Sequence, residues 1–351
     1  MNVKIPVAVM GATGSVGQRF IQLLDGHPWF EVVALSASDR SVGKPYGEAV
    51  HWILPEPMPA WAAEMPVLPT RPDALQVPLA FSALPTEVAG EAESAQAQAG
   101  TWVCSNASAH RRDDDVPILL PEVNPQHLKL VQTQRARRSW TGGIVCNANC
   151  TSTGLTVTLK ALQGAFGVAR GFVVSLQALS GAGYPGVASL DIVDNALPFI
   201  PGEEEKMEWE PRKMLGELDG GEIHLADLRL SAQANRVAVS DAHLVCLSVE
   251  LRGRAGIEEV AQALREYGAP QESRELPSAP HPPIVLRSEP DRPQPRLDRM
   301  TGGGMTTVVG RLRPDPLLDY KMVILSHNTI RGAAGGSIYN AELLVDRGYV
   351  G

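Results

Sequence analysis

Cysteine is scarce in this chain, with four in 351 residues at positions 104, 146, 150 and 246. None form a C-x-x-C pair, and no Cys and His cluster at ligand spacing, so neither a disulfide framework nor a metal site is expected. Cys104 and Cys246 lie in apolar, strand-like runs and read as buried thiols, which suits the reducing cytoplasm. No apolar run approaches the length of a bilayer span. No leader segment is read ahead of the first strand, and no internal repeat or low-complexity stretch is visible. Positive charge is in deficit: 31 Lys and Arg against 39 Asp and Glu give a net charge of −8. That balance argues against non-specific nucleic-acid binding. The one basic run, Arg135 to Arg138, reads as the solvated end of a helix. What remains is a globular composition, 44% apolar and 20% charged, long enough for two domains with a core each.

Against that background two segments stand out. The first runs from Gly142 to Gly154. A short apolar run, 144–146, reads as a strand, a polar turn follows, and Cys150 then precedes apolar residues at helical spacing over 155–162. This places the thiol at a strand-to-helix turn. A helix N-terminus carries unpaired N–H groups and partial positive charge. Such a site favours thiolate, the nucleophilic form, and its N–H groups suit an oxyanion formed by attack on a carbonyl. A small buried Cys would fill the same position without chemistry.

The second is the strand at 5–10 followed by Gly11-Ala-Thr13-Gly14-Ser15-Val16-Gly17 and a helical pattern over 18–24. Strand, glycine-rich turn and helix in this order are the dinucleotide-binding unit. The glycines allow a tight turn and close approach to a pyrophosphate, which then faces the helix N-terminus. The next strand, 31–35, does not end in the acid that would accept a ribose 2′-hydroxyl. It ends in Ser36-Ala37-Ser38-Asp39-Arg40-Ser41. The hydroxyls of Ser38 and Ser41 and the guanidinium of Arg40 suit a 2′-phosphate, so the expected cofactor is NADP.

The rest of the chain organises around these units. Strands near 80–82 and 101–105, with a helix over 87–99 between them, continue an alternating pattern typical of a parallel sheet. From about Cys150 the strands lengthen, at 172–177, 225–231, 236–239 and 244–251, and a helix follows at 258–267. The Pro-rich stretch 279–299 reads as an extended connector, followed by strands at 308–312 and 322–325 and a last helix at 337–345. The expected fold is α/β. A Rossmann-like nucleotide domain with a mainly parallel sheet, 1–149 plus 328–351, is joined to an α+β catalytic and dimerisation domain with a mixed sheet, 150–327.

Ordered blocks along the chain carry a family resemblance. They include GATGSVGQRF from Gly11, SNASAHRRDDDVP from Ser105, PEVN from Pro121 and NANCTSTG from Asn147. LQALSGAGYPG from Leu176, IPGEEEKMEWE from Ile200, NRVAVSDAH from Asn235 and HNTIRGAAGGS from His327 follow. Together these resemble the aspartate-semialdehyde dehydrogenases of archaeal and fungal type, essentially end to end. Two positions depart from that pattern: Ala148 stands where the family has Pro, and Ala242 where it has Gly before the His.

The resemblance implies NADPH-dependent reduction of 4-phospho-aspartate to aspartate semialdehyde through a thioester on Cys150, with phosphate released. His243 is then the acid/base partner, and its ordinary pKa of about 6.5 suits that work. Gln177 would orient the cysteine or the substrate. Arg236 would pair with the α-carboxylate through its planar fork. Glu203 is the choice for the α-ammonium, although Glu204 and Glu205 are alternatives in a run that also suits a solvated helix start. Lys206, Arg111 and Asn106 would hold the phosphate, with a surface loop as the bland reading of the stretch around Arg111. Ser82, Gly181 and Asn328 join the expected cofactor set. A homodimer or homotetramer is implied, with no nucleic-acid or membrane partner. Malonyl-CoA reductase, which uses the same Cys and His logic on a thioester without an ammonium, is the alternative reading.

Overall fold

The structure is a computed structural model that describes residues 3–350. The first sheet comprises β1 (Ile5–Met10), β2 (Phe30–Ser36), β3 (Val67–Leu68), β4 (Leu79–Ser82), β5 (Trp102–Ser105), β6 (Ile118–Leu119) and β7 (Gly143–Asn147). Its spatial order is 3-2-1-4-5-7-6, and every paired neighbour is parallel. Crossover helices cover both faces of such a sheet, so β4, β5 and β7 are buried along their whole length. Strand order reverses between β1 and β4. In open α/β sheets that reversal leaves a crevice beyond the carboxyl ends of the strands.

The second sheet is mixed. It uses β8 (Val168–Gln177), then, after a small separate hairpin of β9 (Glu217–Asp219) and β10 (Glu222–His224), β11 (Arg229–Arg236), β12 (His243–Leu251), β13 (Ile284–Leu286), β14 (Thr307–Pro314) and β15 (Tyr320–Ser326). Their order is 11-8-12-15-14-13. The pairs β8–β11 and β13–β14 are parallel, and the others antiparallel. The helix Cys150–Phe166 packs across one face, against β8, β12 and β15. The helix Gly335–Asp346 returns to the first sheet and packs on β4, β5 and β7.

Three expectations need correction. One strand, Arg229–Arg236, replaces the two expected at 225–231 and 236–239. Ala232, Ala234 and Arg236 face inward while Ser231 and Gln233 face out, so a half-buried strand exists without an apolar run to mark it. The Pro-rich stretch is not a bare connector, because it contributes β13 to the sheet edge and a one-turn helix, Pro295–Asp298. Cys246 is exposed, not buried: Val245 and Leu247 take the inner face of β12, and alternation leaves Cys246 on the outer one. Cys104 is buried as expected.

Candidate active site

The nucleophile position follows from one turn. β7 ends at Asn147, and Asn149 caps the next helix: its Oδ1 accepts the N–H groups of Thr151 at 2.9 Å and Ser152 at 3.1 Å. That satisfies two of the open donors of a helix start. Cys150 is therefore the first helical residue. It faces a cleft of about 450 Å³ walled by Ser15 and Val16, which open the helix after β1, and by Arg111, Glu203 and Lys206.

His243 opens β12, with Nε2 3.3 Å from Cys150 Sγ. The backbone N–H of Ala178 donates to its Nδ1 at 3.0 Å. A nitrogen that accepts cannot carry the ring proton, so the neutral imidazole bears hydrogen on Nε2 and meets the sulfur as a donor. Burial pushes the His243 pKa down to about 3, so the ring is neutral near pH 7. Burial, then the Glu203 carboxylate, push the Cys150 thiol up to about 12, against the pull of Arg111, Lys206 and Arg236. This corrects the expectation of a ready thiolate: desolvation of the open site outweighs the nearby positive charges, and the resting sulfur is a thiol.

The other expected residues converge on the same cleft. Glu203 is buried, and Glu204 turns away to accept the Ala234 N–H at 3.0 Å, while Glu205 is exposed. Glu203 accepts from Asn149 Nδ2 at 3.0 Å, Gln177 Nε2 at 3.1 Å and Lys206 Nζ at 2.9 Å. Although burial opposes it, these contacts hold its pKa below the usual carboxylate range. Gln177 thus reaches the site through Glu203 and Ser175, with no hydrogen bond to the sulfur. Arg236 is buried beside His243, and its Nη1 donates to the Ala178 carbonyl at 2.7 Å. Gly181 lies against both: a Cβ there would sit 2.9 Å from Arg236 Nη1 and 3.0 Å from His243 Cε1. Arg111 is not on a surface loop. It is buried, donating to Glu210 at 2.9 Å and to the Asn106 carbonyl at 2.8 Å. Asn106 Oδ1 accepts from Asn147 and Ser337.

Opposite the cysteine lies the glycine turn. Gly11 has φ +74°, and a Cβ there would stand 2.6 Å from the Ala83 carbonyl oxygen. A Cβ on Gly17 would stand 2.3 Å from the Gly11 oxygen. Gly14, the N-cap of Ser15–Leu24, offers no side-chain cap, so the first N–H groups of that helix stay open toward the cleft. Thr13 shapes the turn through its carbonyl, which accepts from Gln18 at 3.1 Å. These features fit a dinucleotide pyrophosphate. Ser38 and Arg40 are exposed just past the end of β2, and a turn closes there from the Ser41 N–H to the Ser38 carbonyl at 2.8 Å. Ser82 lies beneath the cleft, buried, with its carbonyl accepting the Asn106 N–H at 3.0 Å. Asn328 lines the cleft and links the Ala242 N–H to Ser180 Oγ, each at 2.8 Å. Among the described residues, no group of three or more His, Cys, Asp and Glu is arranged to hold a metal ion, and no helix is long and apolar enough to cross a membrane.

Family models match both halves: "Semialdehyde dehydrogenase, NAD binding domain" over residues 6–131 and "Semialdehyde dehydrogenase, dimerisation domain" over 159–331. The aspartate-semialdehyde dehydrogenase of Archaeoglobus fulgidus is 49% identical, over 97% of each chain. This chain belongs to the aspartate-semialdehyde dehydrogenases. Among solved members of the family, the Candida albicans dehydrogenase, determined with NADP, superposes with a TM-score of 0.91 at 42% identity. The match covers 99% of this chain and 100% of that one. A Vibrio cholerae aspartate semialdehyde dehydrogenase II, complexed with ASA, superposes with a TM-score of 0.77 at 25% identity over 99% and 100% of the two chains.

Within this dehydrogenase scaffold, several site residues escaped the sequence. Asn149 was readable as a possible N-cap, being an Asn directly before a helical pattern. Glu210, and Gly332, which lines the cleft behind Cys150, carried no local signal, since Asn149 and Cys150, which they meet, lie far away in sequence. The departure at Ala242 has a physical meaning: its φ is +79°, a left-handed backbone that glycine adopts freely and alanine does not.

Proposed function

We propose that this dehydrogenase reduces 4-phospho-L-aspartate to L-aspartate 4-semialdehyde with NADPH, through a thioester on Cys150. The observation that carries the reading is Cys150 Sγ, 3.3 Å from His243 Nε2 at a helix start, in a cleft with charges of both signs. Arg236 pairs with the α-carboxylate and Glu203 with the α-ammonium. Lys206, Arg111 and Asn106 take the phosphate. The thiolate attacks the acyl carbon, the carbon–oxygen bond to phosphate breaks, and the thioester forms. NADPH, when bound, supplies the hydride that reduces the thioester carbonyl. The oxyanion then collapses, expelling the thiolate. Splitting the displacement in two lowers each barrier.

His243 works here as a donor. Its Nε2–H stabilises the sulfur anion before attack and again when it departs. The resting thiol gives up its proton as it attacks, and that proton ends on the departing phosphate. The thiolate expelled after hydride transfer takes up the one proton that the overall reaction consumes, which restores the thiol. Gln177 and Asn149 fix Glu203.

Gly11, Thr13, Gly14, Ser15 and Val16 hold the pyrophosphate of the cofactor, and Ser38, Arg40 and Ser41 its 2′-phosphate. Gly181 and Asn328 complete the cofactor side, with Ser82 supporting it from below through Asn106. The nucleotide domain is 1–149 with 328–351, and 150–327 is the catalytic and dimerisation domain. The open face of the second sheet, where Phe172 is exposed, suits a subunit contact in a homodimer or homotetramer. The free, buried thiols Cys104 and Cys146 suit a cytoplasmic location.

A malonyl-CoA substrate would give Glu203 no cation to meet, so the buried carboxylate in the cleft favours the amino-acid substrate. The test is NADPH oxidation with 4-phospho-aspartate and with malonyl-CoA side by side. Turnover with the first alone is expected, and preference for the second would overturn the reading.

A further inference from the structure

Glu210 is a buried carboxylate that has no part in the chemistry above. It lies seven residues beyond Glu203 in the helix Glu203–Met214, and two turns of helix bring both carboxylates to one face. Glu210 Oε1 accepts from Arg111 Nη1 at 2.9 Å, and Oε2 accepts the backbone N–H of Asn149 at 2.6 Å. Asn149 is therefore held twice by the same helix: its side-chain Nδ2 donates to Glu203 and its backbone N–H to Glu210. Asn149 is also the residue that caps the Cys150 helix. Arg111 is held with equal care, by Glu210 on one nitrogen and by the Asn106 carbonyl on another.

A buried carboxylate is costly unless its oxygens are matched by donors, and hydrogen bonds to an ionised acceptor are the strong ones. Both groups facing Glu210 are donors. A carboxylate presents two acceptor oxygens, whereas an amide presents one acceptor and one donor. Only the acid can satisfy Arg111 and Asn149 together.

We propose that Glu210 is a positioning residue that ties the guanidinium of Arg111 to the N-cap of the nucleophile's helix, fixing the spacing between the phosphate site and Cys150. The proposal rests on the reading that Arg111 binds the substrate phosphate. In Glu210→Gln one donor loses its acceptor. Arg111 swings away, or the cap of the Cys150 helix loosens, and the phosphate-to-sulfur spacing is lost in either case.

The test is aldehyde oxidation with NADP at varied inorganic phosphate. The wild-type protein, Glu210→Gln, Glu210→Asp, Arg111→Ala and the Glu210→Gln/Arg111→Ala double variant are compared, with urea unfolding of each. Glu210→Gln is expected to raise the phosphate KM by about tenfold, the scale of one charged hydrogen bond, with the NADP KM within twofold. Glu210→Asp, which keeps two acceptor oxygens, should recover part of the loss. The double variant should match Arg111→Ala alone in phosphate KM. An unchanged phosphate KM in Glu210→Gln overturns the proposal. So does additivity in the double variant, or a loss spread evenly over NADP, aldehyde and phosphate in step with the urea midpoint. If Glu210→Gln does not fold, Glu210→Asp carries the test, and a wild-type phosphate KM there overturns it. A wild-type protein that oxidises the aldehyde with no need for phosphate overturns the acyl-phosphate reading itself, and the proposal with it. Phosphate saturation in wild type with an unaffected variant defeats the proposal alone.

Discussion

Replacing Gly332 with alanine strikes the nucleophile from behind. Gly332 lies in the π-helical turn Ile330–Ala334, a kind of local distortion frequent at functional sites. Its N–H donates to the His327 carbonyl at 2.9 Å. A methyl group there would stand 2.8 Å from both Cα and Cβ of Cys150, and ordinary contacts begin at 3.4 Å, so the two segments must part by the difference, about 0.6 Å. Neither side yields easily. The turn is anchored by the fully buried ion pair of Arg331 with Glu122, and Cys150 by the Asn149 cap. Overpacking of this kind costs roughly 1–3 kcal/mol. Displacing a reacting atom by 1 Å costs on the order of 10²-fold in rate, so a shift of this size should lower kcat by roughly ten- to a hundredfold. Gly164 is the internal control. It lies in the same helix as Cys150, yet a Cβ there meets nothing within 4 Å, so Gly164→Ala should gain roughly 1 kcal/mol and leave kcat alone. Phosphate-dependent NADP reduction and urea unfolding of the three proteins decide the matter. A Gly332→Ala protein with wild-type kcat refutes the reasoning, as does a Gly164→Ala protein that loses as much.

Ala242→Gly should stabilise the fold by roughly 1 kcal/mol, because it relieves a left-handed alanine, and a lower urea midpoint would contradict the strain. Iodoacetamide should alkylate Cys150 of the free enzyme slowly at pH 7 and faster as pH rises past 9, since the thiol is pushed up to about 12. A reaction rate that is already on a plateau below pH 7 would show a thiolate at rest. Burial depresses His243 to about 3 and His127 and His327 each to about 4. Unfolding frees them to bind protons from about pH 6.5 downward, so their contribution is complete above that pH and is lost as pH falls toward 4. The urea midpoint should drop between pH 7 and 5, and a flat profile would contradict the assignment.

What the sequence disclosed was what is local. The glycine turn, the Cys150 strand-to-helix junction and the strands Val168–Gln177 and His243–Leu251 each carry their signal within a dozen residues, and each stands where its pattern put it, unlike Arg229–Arg236. Glu203 could be singled out in an acidic run, but only the packed helix shows that Glu204 turns to the Ala234 N–H and Glu205 to solvent. The hidden parts are long-range pairings. Glu210 meets Asn149 across 61 residues, and Arg331 meets Glu122 across 209. The sign of the thiol's pKa shift was also illegible, since a helix start predicts a lowered value and only the fold reveals the desolvation that reverses it. The apolar run misled once: Cys246 has an apolar neighbour on either side, and because Val245 and Leu247 take the inner face, alternation turns it outward.

The central claim is the covalent thioester on Cys150. Intact mass and peptide mapping, after incubation with 4-phospho-aspartate in the absence of NADPH, test it most directly. The account predicts one aspartyl group per chain, located on Cys150, removed by NADPH with release of the aldehyde and absent from Cys150→Ala, which should have no activity. An adduct on Cys146, or a Cys150→Ala protein that still turns over, would contradict it.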